Sequence, residues 1–90
     1  MLVEFDKSFS KSIDKISHPV VKNKIIKNIE MLEKANTLLE IKNVKKLSGY
    51  KNFYRIRLGD YRIGLELINP QKIRLIIVAN RKDIYKMFPK

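Results

Sequence analysis

The run Phe53-Tyr54-Arg55-Ile56-Arg57-Leu58-Gly59-Asp60-Tyr61-Arg62-Ile63-Gly64-Leu65 alternates with period 2, breaks at Gly59-Asp60, and then alternates again. Such alternation marks a half-buried strand. Gly-Asp between two alternating runs suits a two-residue hairpin turn, with glycine where φ must be positive. That turn sets a register: Leu58 opposite Tyr61, Arg57 opposite Arg62, Ile56 opposite Ile63 and Arg55 opposite Gly64. One face of the hairpin is then Tyr54, Ile56, Leu58, Tyr61, Ile63 and Leu65, a core face. The other carries Arg55, Arg57 and Arg62, with no side chain on Gly64 to crowd them. Like charges directly opposed destabilise a sheet, so Arg57 against Arg62 points to an anion held over that face.

Outward from the hairpin, Asn69-Pro70-Gln71 is a turn signal. Ile73 to Ala79 is a nearly unbroken apolar run, which fits an interior strand buried on both faces. Pairing Glu66 with Arg74 sets opposite charges face to face. It places Ile76, Val78 and Asn80 on the arginine side. Towards the N-terminus, Leu2 to Phe5 reads as a first strand. Phe9, Ile13 and Ile16 follow at helical spacing, with Asp6 or Ser8 as N-cap. His18-Pro19 ends that helix, because the residue before proline is pushed out of the α region, and Pro19 suits the first position of the next helix. Val21, Ile25, Ile29 and Leu32 form its apolar stripe, and it ends near Ala35-Asn36. Leu39, Ile41, Val44 and Leu47, in a less regular link from Thr37 to Gly49, are expected to dock on the core.

The expected fold is therefore α+β: two N-terminal helices on one face of a four-stranded, mainly antiparallel sheet in the order β-α-α-β-β-β, one domain over residues 1–90. Two helices cover only one face. The arginine face stays open as an electropositive shelf, rimmed by the C-terminal segment.

The chain has 90 residues, 20 Lys+Arg against 9 Asp+Glu, and a formal net charge of +11. An excess of that size argues for a polyanionic or acidic partner. A lysine-rich proteome would account for the lysines, which are spread along the chain. It accounts less well for Arg55, Arg57, Arg62, Arg74 and Arg81, which all follow residue 54 and suit bidentate phosphate recognition. Cysteine is absent, which excludes disulfides and thiolate metal sites. No apolar run approaches the ~18 residues of a membrane span, and acidic Glu4 and Asp6 sit where a signal peptide would be basic and apolar. A cytoplasmic protein is expected. Asp60 and Asp83 have no second carboxylate placed to share an ion, so neither metal nor cofactor is expected.

Three blocks carry a resemblance: Val44-Lys45-Lys46-Leu47-Ser48-Gly49, Tyr54-Arg55-Ile56-Arg57-Leu58-Gly59-Asp60-Tyr61-Arg62-Ile63, and Asn80-Arg81-Lys82-Asp83-Ile84-Tyr85. In order and spacing, the chain resembles the RelE/ParE toxin superfamily of type II toxin–antitoxin modules along essentially its whole length. The resemblance implies one of two activities. RelE-type members cleave mRNA in the ribosomal A site; ParE-type members poison DNA gyrase. The resemblance to RelE-type enzymes implies catalytic roles for Arg62, Arg81 and Tyr85. It implies RNA contacts by Arg55 and Arg57, joined here by Lys45, Lys46 and Phe88. It also implies a cognate acidic antitoxin in a hetero-oligomer, with ribosomal mRNA and rRNA as further partners and no membrane. The chain departs from many relatives in carrying Asn80 where they have histidine before the final arginine. Its one histidine, His18, falls in the helix–helix break, away from the shelf.

Metal-free RNA cleavage needs the 2′-hydroxyl to attack the adjacent phosphorus through a charge-rich phosphorane, which fixed guanidinium groups stabilise. A base and an acid must also move protons. A phenol with its ordinary pKa of about 10 is a poor base at neutral pH, although neighbouring cations favour its ionised form. Tyr85 either moves a proton or stacks on a base. The expected function is a ribosome-dependent mRNA endoribonuclease toxin. The alternatives are a gyrase inhibitor and an RNA-binding homologue with weak catalysis.

Overall fold

The computed structural model describes residues 1–89. Strand β1 (Leu2–Phe5) leads into helices α1 (Lys7–Asp14) and α2 (Pro19–Lys34). After a 3-10 turn at Leu38–Glu40 come β2 (Val44–Lys46), β3 (Phe53–Leu58), β4 (Tyr61–Asn69), β5 (Lys72–Asn80) and the short helix α3 (Ile84–Met87). The sheet order is β1-β5-β4-β3-β2, with β1 parallel to β5 and the other pairs antiparallel. The sheet has five strands where four were expected. The extra one, β2, is three residues of a segment read as a link, too short for its alternation to register.

The local signals act as their chemistry predicts. The Asp6 carboxylate caps α1 by accepting from Ser8 N at 3.1 Å, and Pro19 opens α2, where its missing N–H costs no hydrogen bond. Phe9, Ile25 and Leu32 from the helices, and Ile16 from the link between them, bury against Ile56, Ile63, Leu65, Ile73, Leu75 and Val78 of the sheet. In the linking segment Leu38 and Ile41 are buried, whereas Leu39 is 88% exposed. The 3-10 turn gives its core-facing position to Leu38.

Strand β1 ends at Phe5, opposite Leu75, so the rest of the β5 edge needs other partners. Helix α1 supplies them. Asp6 N donates to Leu75 O at 2.9 Å, the Ser8 hydroxyl donates to Ile76 O, and Val78 N donates to Ser12 Oγ at 3.0 Å. Two serines one helical turn apart thus continue, by side chain, the ladder that β1 leaves unfinished.

The hairpin register matches the sequence reading pair for pair, from Leu58↔Tyr61 to Arg55↔Gly64, and Gly59 takes φ +59° in the turn. Glu66 pairs with Arg74 as expected, but a bulge then shifts the register, so that Gly64 faces Ile77 and Arg62 faces Ala79. Ile77 and Ala79 therefore lie on the arginine side. Val78 and Asn80 turn to the helix side, contrary to expectation. Every position from Leu75 to Ala79 is apolar, so alternation gives no warning of a one-residue slip there.

Candidate functional site

On the face away from α1 and α2, the strands bring their side chains into rows. One row runs Lys45, Arg55, Gly64, Ile77; the next runs Arg57, Arg62, Ala79. The α3 segment lies over the β5 end of these rows. There Ile77, Ala79, Ile84 and Phe88 form a second buried cluster, with Leu47, Phe53 and Ile76 against it. Arg55, Arg57 and Arg62 remain at the open β3–β4 end.

Each arginine is held by backbone as well as by strand position. Asn43, in the left-handed region at φ +66°, accepts from Arg57 N at 3.1 Å and from Arg55 Nη1 at 3.0 Å through its carbonyl oxygen. Its side-chain oxygen lies 3.4 Å from Arg57 Nη2. Arg62 Nη1 donates to Gly59 O at 2.7 Å and to Tyr61 O at 3.0 Å, which folds the guanidinium onto the hairpin turn. Arg81 N donates to Asp60 O at 2.8 Å, tying the segment after β5 to the same turn. Asn80 bends the chain there: its side-chain oxygen accepts from Lys82 N at 3.0 Å and its carbonyl from Asp83 N at 2.9 Å.

The electrostatics follow from the crowding. Partial burial first, and then the charges of Arg55, Arg57 and Arg81, push the Arg62 guanidinium below its ordinary value, while the Tyr85 phenol acts in the opposite direction. The ion pairs found among the described residues are Lys72–Glu4 at 2.7 Å and Arg74–Glu4 at 3.1 Å, at the far end of the sheet. None involves Arg55, Arg57, Arg62 or Arg81. A cluster of guanidinium groups with no ion-paired carboxylate among the described residues can hold an anion, and its delocalised charges can follow negative charge as it spreads over a phosphoryl group. Tyr85, 59% exposed, stands at its rim.

Of the residues singled out by sequence, Arg55, Arg57, Arg62 and Lys45 share the face, and Arg81 and Tyr85 come to its edge. Two do not join it. Lys46 pairs with Tyr54 and turns to the helix side, because β2 alternates like any strand. Phe88 is 2% exposed, its ring centroid 5.3 Å from that of Phe53, so it packs within the protein and offers no surface for a base. Sequence reasoning missed Asn43, whose type is among the few that tolerate a positive φ. It also missed the reason for Gly64: a Cβ there would lie 2.6 Å from the Phe88 ring. Among the described residues no group of three or more His, Cys, Asp or Glu is placed to hold a metal ion, and no helix is long and apolar enough to cross a membrane.

Residues 3–85 match the family model described as the ParE toxin of the type II toxin–antitoxin system parDE. The chain is 42% identical over 91 residues to Toxin RelE3 of Methanocaldococcus jannaschii, covering 99% of this chain and all of that protein. Among solved structures it is similar to the toxin of the RelB–RelE antitoxin–toxin complex from Methanococcus jannaschii, with TM-score 0.79, 38% identity and coverage of 96% of this chain and 99% of that one. The archaeal RelE–RelB complex from Pyrococcus horikoshii OT3 shares the fold, with TM-score 0.71 at 24% identity over 92% of this chain and 97% of that one. An open sheet face rich in arginines, a family match over most of the chain and a full-length RelE-named relative lead to one assignment: the chain belongs to the RelE/ParE superfamily of type II toxin–antitoxin toxins.

Proposed function

We propose that this toxin is an mRNA endoribonuclease that works in the ribosomal A site, in the cytoplasm, and is held inactive by a small acidic antitoxin. The observation that carries the reading is the group of four guanidiniums, Arg55, Arg57, Arg62 and Arg81, with no carboxylate among the described residues paired to them and a tyrosine at the rim. A surface meant only to dock on a protein–DNA complex has no stated need for that set. In cleavage, the 2′-oxygen forms a bond to phosphorus as the bond to the 5′-oxygen breaks. The 2′-hydroxyl loses a proton and the departing oxygen gains one. Arg62 and Arg81 stabilise the phosphorane, Arg55 and Arg57 hold the RNA backbone with help from Lys45, and Tyr85 carries a proton.

The antitoxin follows from charge and likeness. A chain of net charge +11 with an open cationic face calls for neutralisation, and the similar chain at 38% identity was solved as an antitoxin–toxin complex. Single-turnover cleavage of ribosome-bound mRNA tests the catalytic reading. Arg62→Ala or Arg81→Ala should slow the cut about 10²–10³-fold, the usual loss when one transition-state donor is removed. Tyr85→Phe keeps the ring and deletes only the hydroxyl, so a loss of about 10²-fold or more marks proton transfer. A near-normal rate would make the tyrosine a stacking residue.

A further inference from the structure

Helix α3 has only four residues, too few to hold its own position, because isolated helices of that length are not stable in water. Its place is set by pins along the segment. At the start, Arg81 N is bonded to Asp60 O at 2.8 Å. In the middle, Ile84 is fully buried over Ile77 and Ala79. At the end, the Phe88 ring lies on Gly64, where a Cβ would come within 2.6–2.8 Å of three of its ring carbons. Phe53 meets that ring edge-on at 5.3 Å, and Tyr50 meets Phe53 at 5.8 Å, so the ring cannot slide towards β3.

The spacing of these pins matters for the tyrosine. Phe88 is the extended C-cap of α3, its N–H donating to Ile84 O at 2.9 Å, and both Ile84 and Phe88 are buried in the protein. Tyr85 follows Ile84 by one position, so it is carried on the flank of the same turn and stays exposed. Gly64 is two residues from Arg62 on β4, roughly 7 Å along the strand. The seat of the ring and the arginine that Tyr85 influences thus belong to one rigid strand.

We propose that Phe88 seated on Gly64 is a positioning lock that fixes where Tyr85 stands at the rim of the arginine shelf. The proposal rests on the nuclease reading for its functional consequence, but its geometric content stands apart. Neither residue touches RNA; both act through Tyr85. Any side chain at position 64 lifts the ring and rotates α3 about the Ile84 pin. A shift of about 1 Å in a reacting group is enough to cost about 10²-fold in rate.

Ring resonances of Tyr85, assigned with Tyr85→Phe in protein carrying 13C-labelled tyrosine, report the geometry directly. In the wild type they should shift on Arg62→Gln. Gly64→Ala should move them and abolish that response, and adding Phe88→Leu, which makes room for the new methyl, should restore it. Phe88→Ala, which leaves Gly64 untouched and the main core intact, should also abolish it. In single-turnover cleavage, Gly64→Ala should lose about 10²-fold in cut rate at saturating ribosome, with ribosome affinity within about threefold of wild type. The Gly64→Ala/Phe88→Leu double variant should recover at least tenfold. Unchanged Tyr85 signals in Gly64→Ala and Phe88→Ala, or a folded double variant that recovers neither response nor rate, would overturn the lock. A wild-type protein that cuts no RNA yet gives the expected ring signals supports the lock and overturns the nuclease reading instead.

Discussion

Ser12 and Asn28 are polar side chains buried to the same degree, 8% and 7% exposed, yet their replacement should change stability in opposite directions. Ser12 Oγ donates to Phe9 O at 2.8 Å and accepts from Val78 N at 3.0 Å, standing in for the missing end of β1. Asn28 lies on the core stripe of α2 between Ile25 and Leu32, and its Oδ1 is buried with no partner among the described residues. Ser12→Ala leaves the Val78 N–H unsatisfied, at about 2 kcal/mol. Alanine returns about 0.5 kcal/mol through helix propensity. The net loss of about 1.5 kcal/mol corresponds to a fall in Tm of about 6–12 °C for a domain of this size. Asn28→Leu keeps the number and branching of side-chain heavy atoms and removes an orphaned acceptor, so it should gain about 1 kcal/mol and raise Tm by about 4–8 °C. Thermal unfolding by circular dichroism measures the shifts. Urea titrations with an unchanged slope would show that stability itself moved. A lower Tm for Asn28→Leu, or a higher one for Ser12→Ala, would refute the reasoning, since it would mean that satisfaction of the buried group does not set the sign.

Two further outcomes follow from charge. The hydrogen bonds and charges of Lys72 and Arg74 hold the Glu4 carboxyl below its ordinary value of 4.5. A depressed folded-state value gives stability that is present above the unfolded value and lost as pH falls through the folded one. Acidification below about pH 4.5 should therefore destabilise the wild type more than Glu4→Gln, as read by urea midpoints across that range. Lys22, Lys24 and Lys27 lie on α2, where Lys24 and Lys27 line a groove with Asn43 and Arg57 at the edge of the shelf, and they suit sequence-independent phosphate contacts. Their replacement by alanine should weaken ribosome association while leaving the single-turnover cut rate of bound complex nearly intact, and a lost rate at saturating ribosome would place α2 within the site.

The hairpin and its arginine face were legible because alternation and a glycine turn are local signals, and a buried face tolerates only one register. The same holds for the Asp6 cap and the Pro19 helix start. What stayed hidden depends on contacts distant in sequence. Strand β2 exists because it meets β3, not because Val44-Lys45-Lys46 carries a pattern of its own. The bulge in β5 lies in the run Leu75 to Ala79, which has no polar marker, so the sequence alone puts Asn80 on the wrong face. Phe88 reads as an aromatic at a basic rim, and only its approach to Gly64, 24 positions earlier, shows that it is buried. Lys46 belongs to a block that carries the resemblance and reads as an RNA contact, while its face is set by the pairing of β2.

The central claim is that the arginines and Tyr85 cut mRNA. The most direct measurement is a map of mRNA 5′ ends in cells expressing the toxin, beside cells expressing a folded Arg62→Ala/Arg81→Ala/Tyr85→Phe variant. The account predicts codon-bounded breaks in translated mRNA with the wild type and none with the triple variant, along with loss of growth arrest. Intact mRNA with accumulated gyrase–DNA cleavage complexes, or arrest that survives all three substitutions, would contradict it.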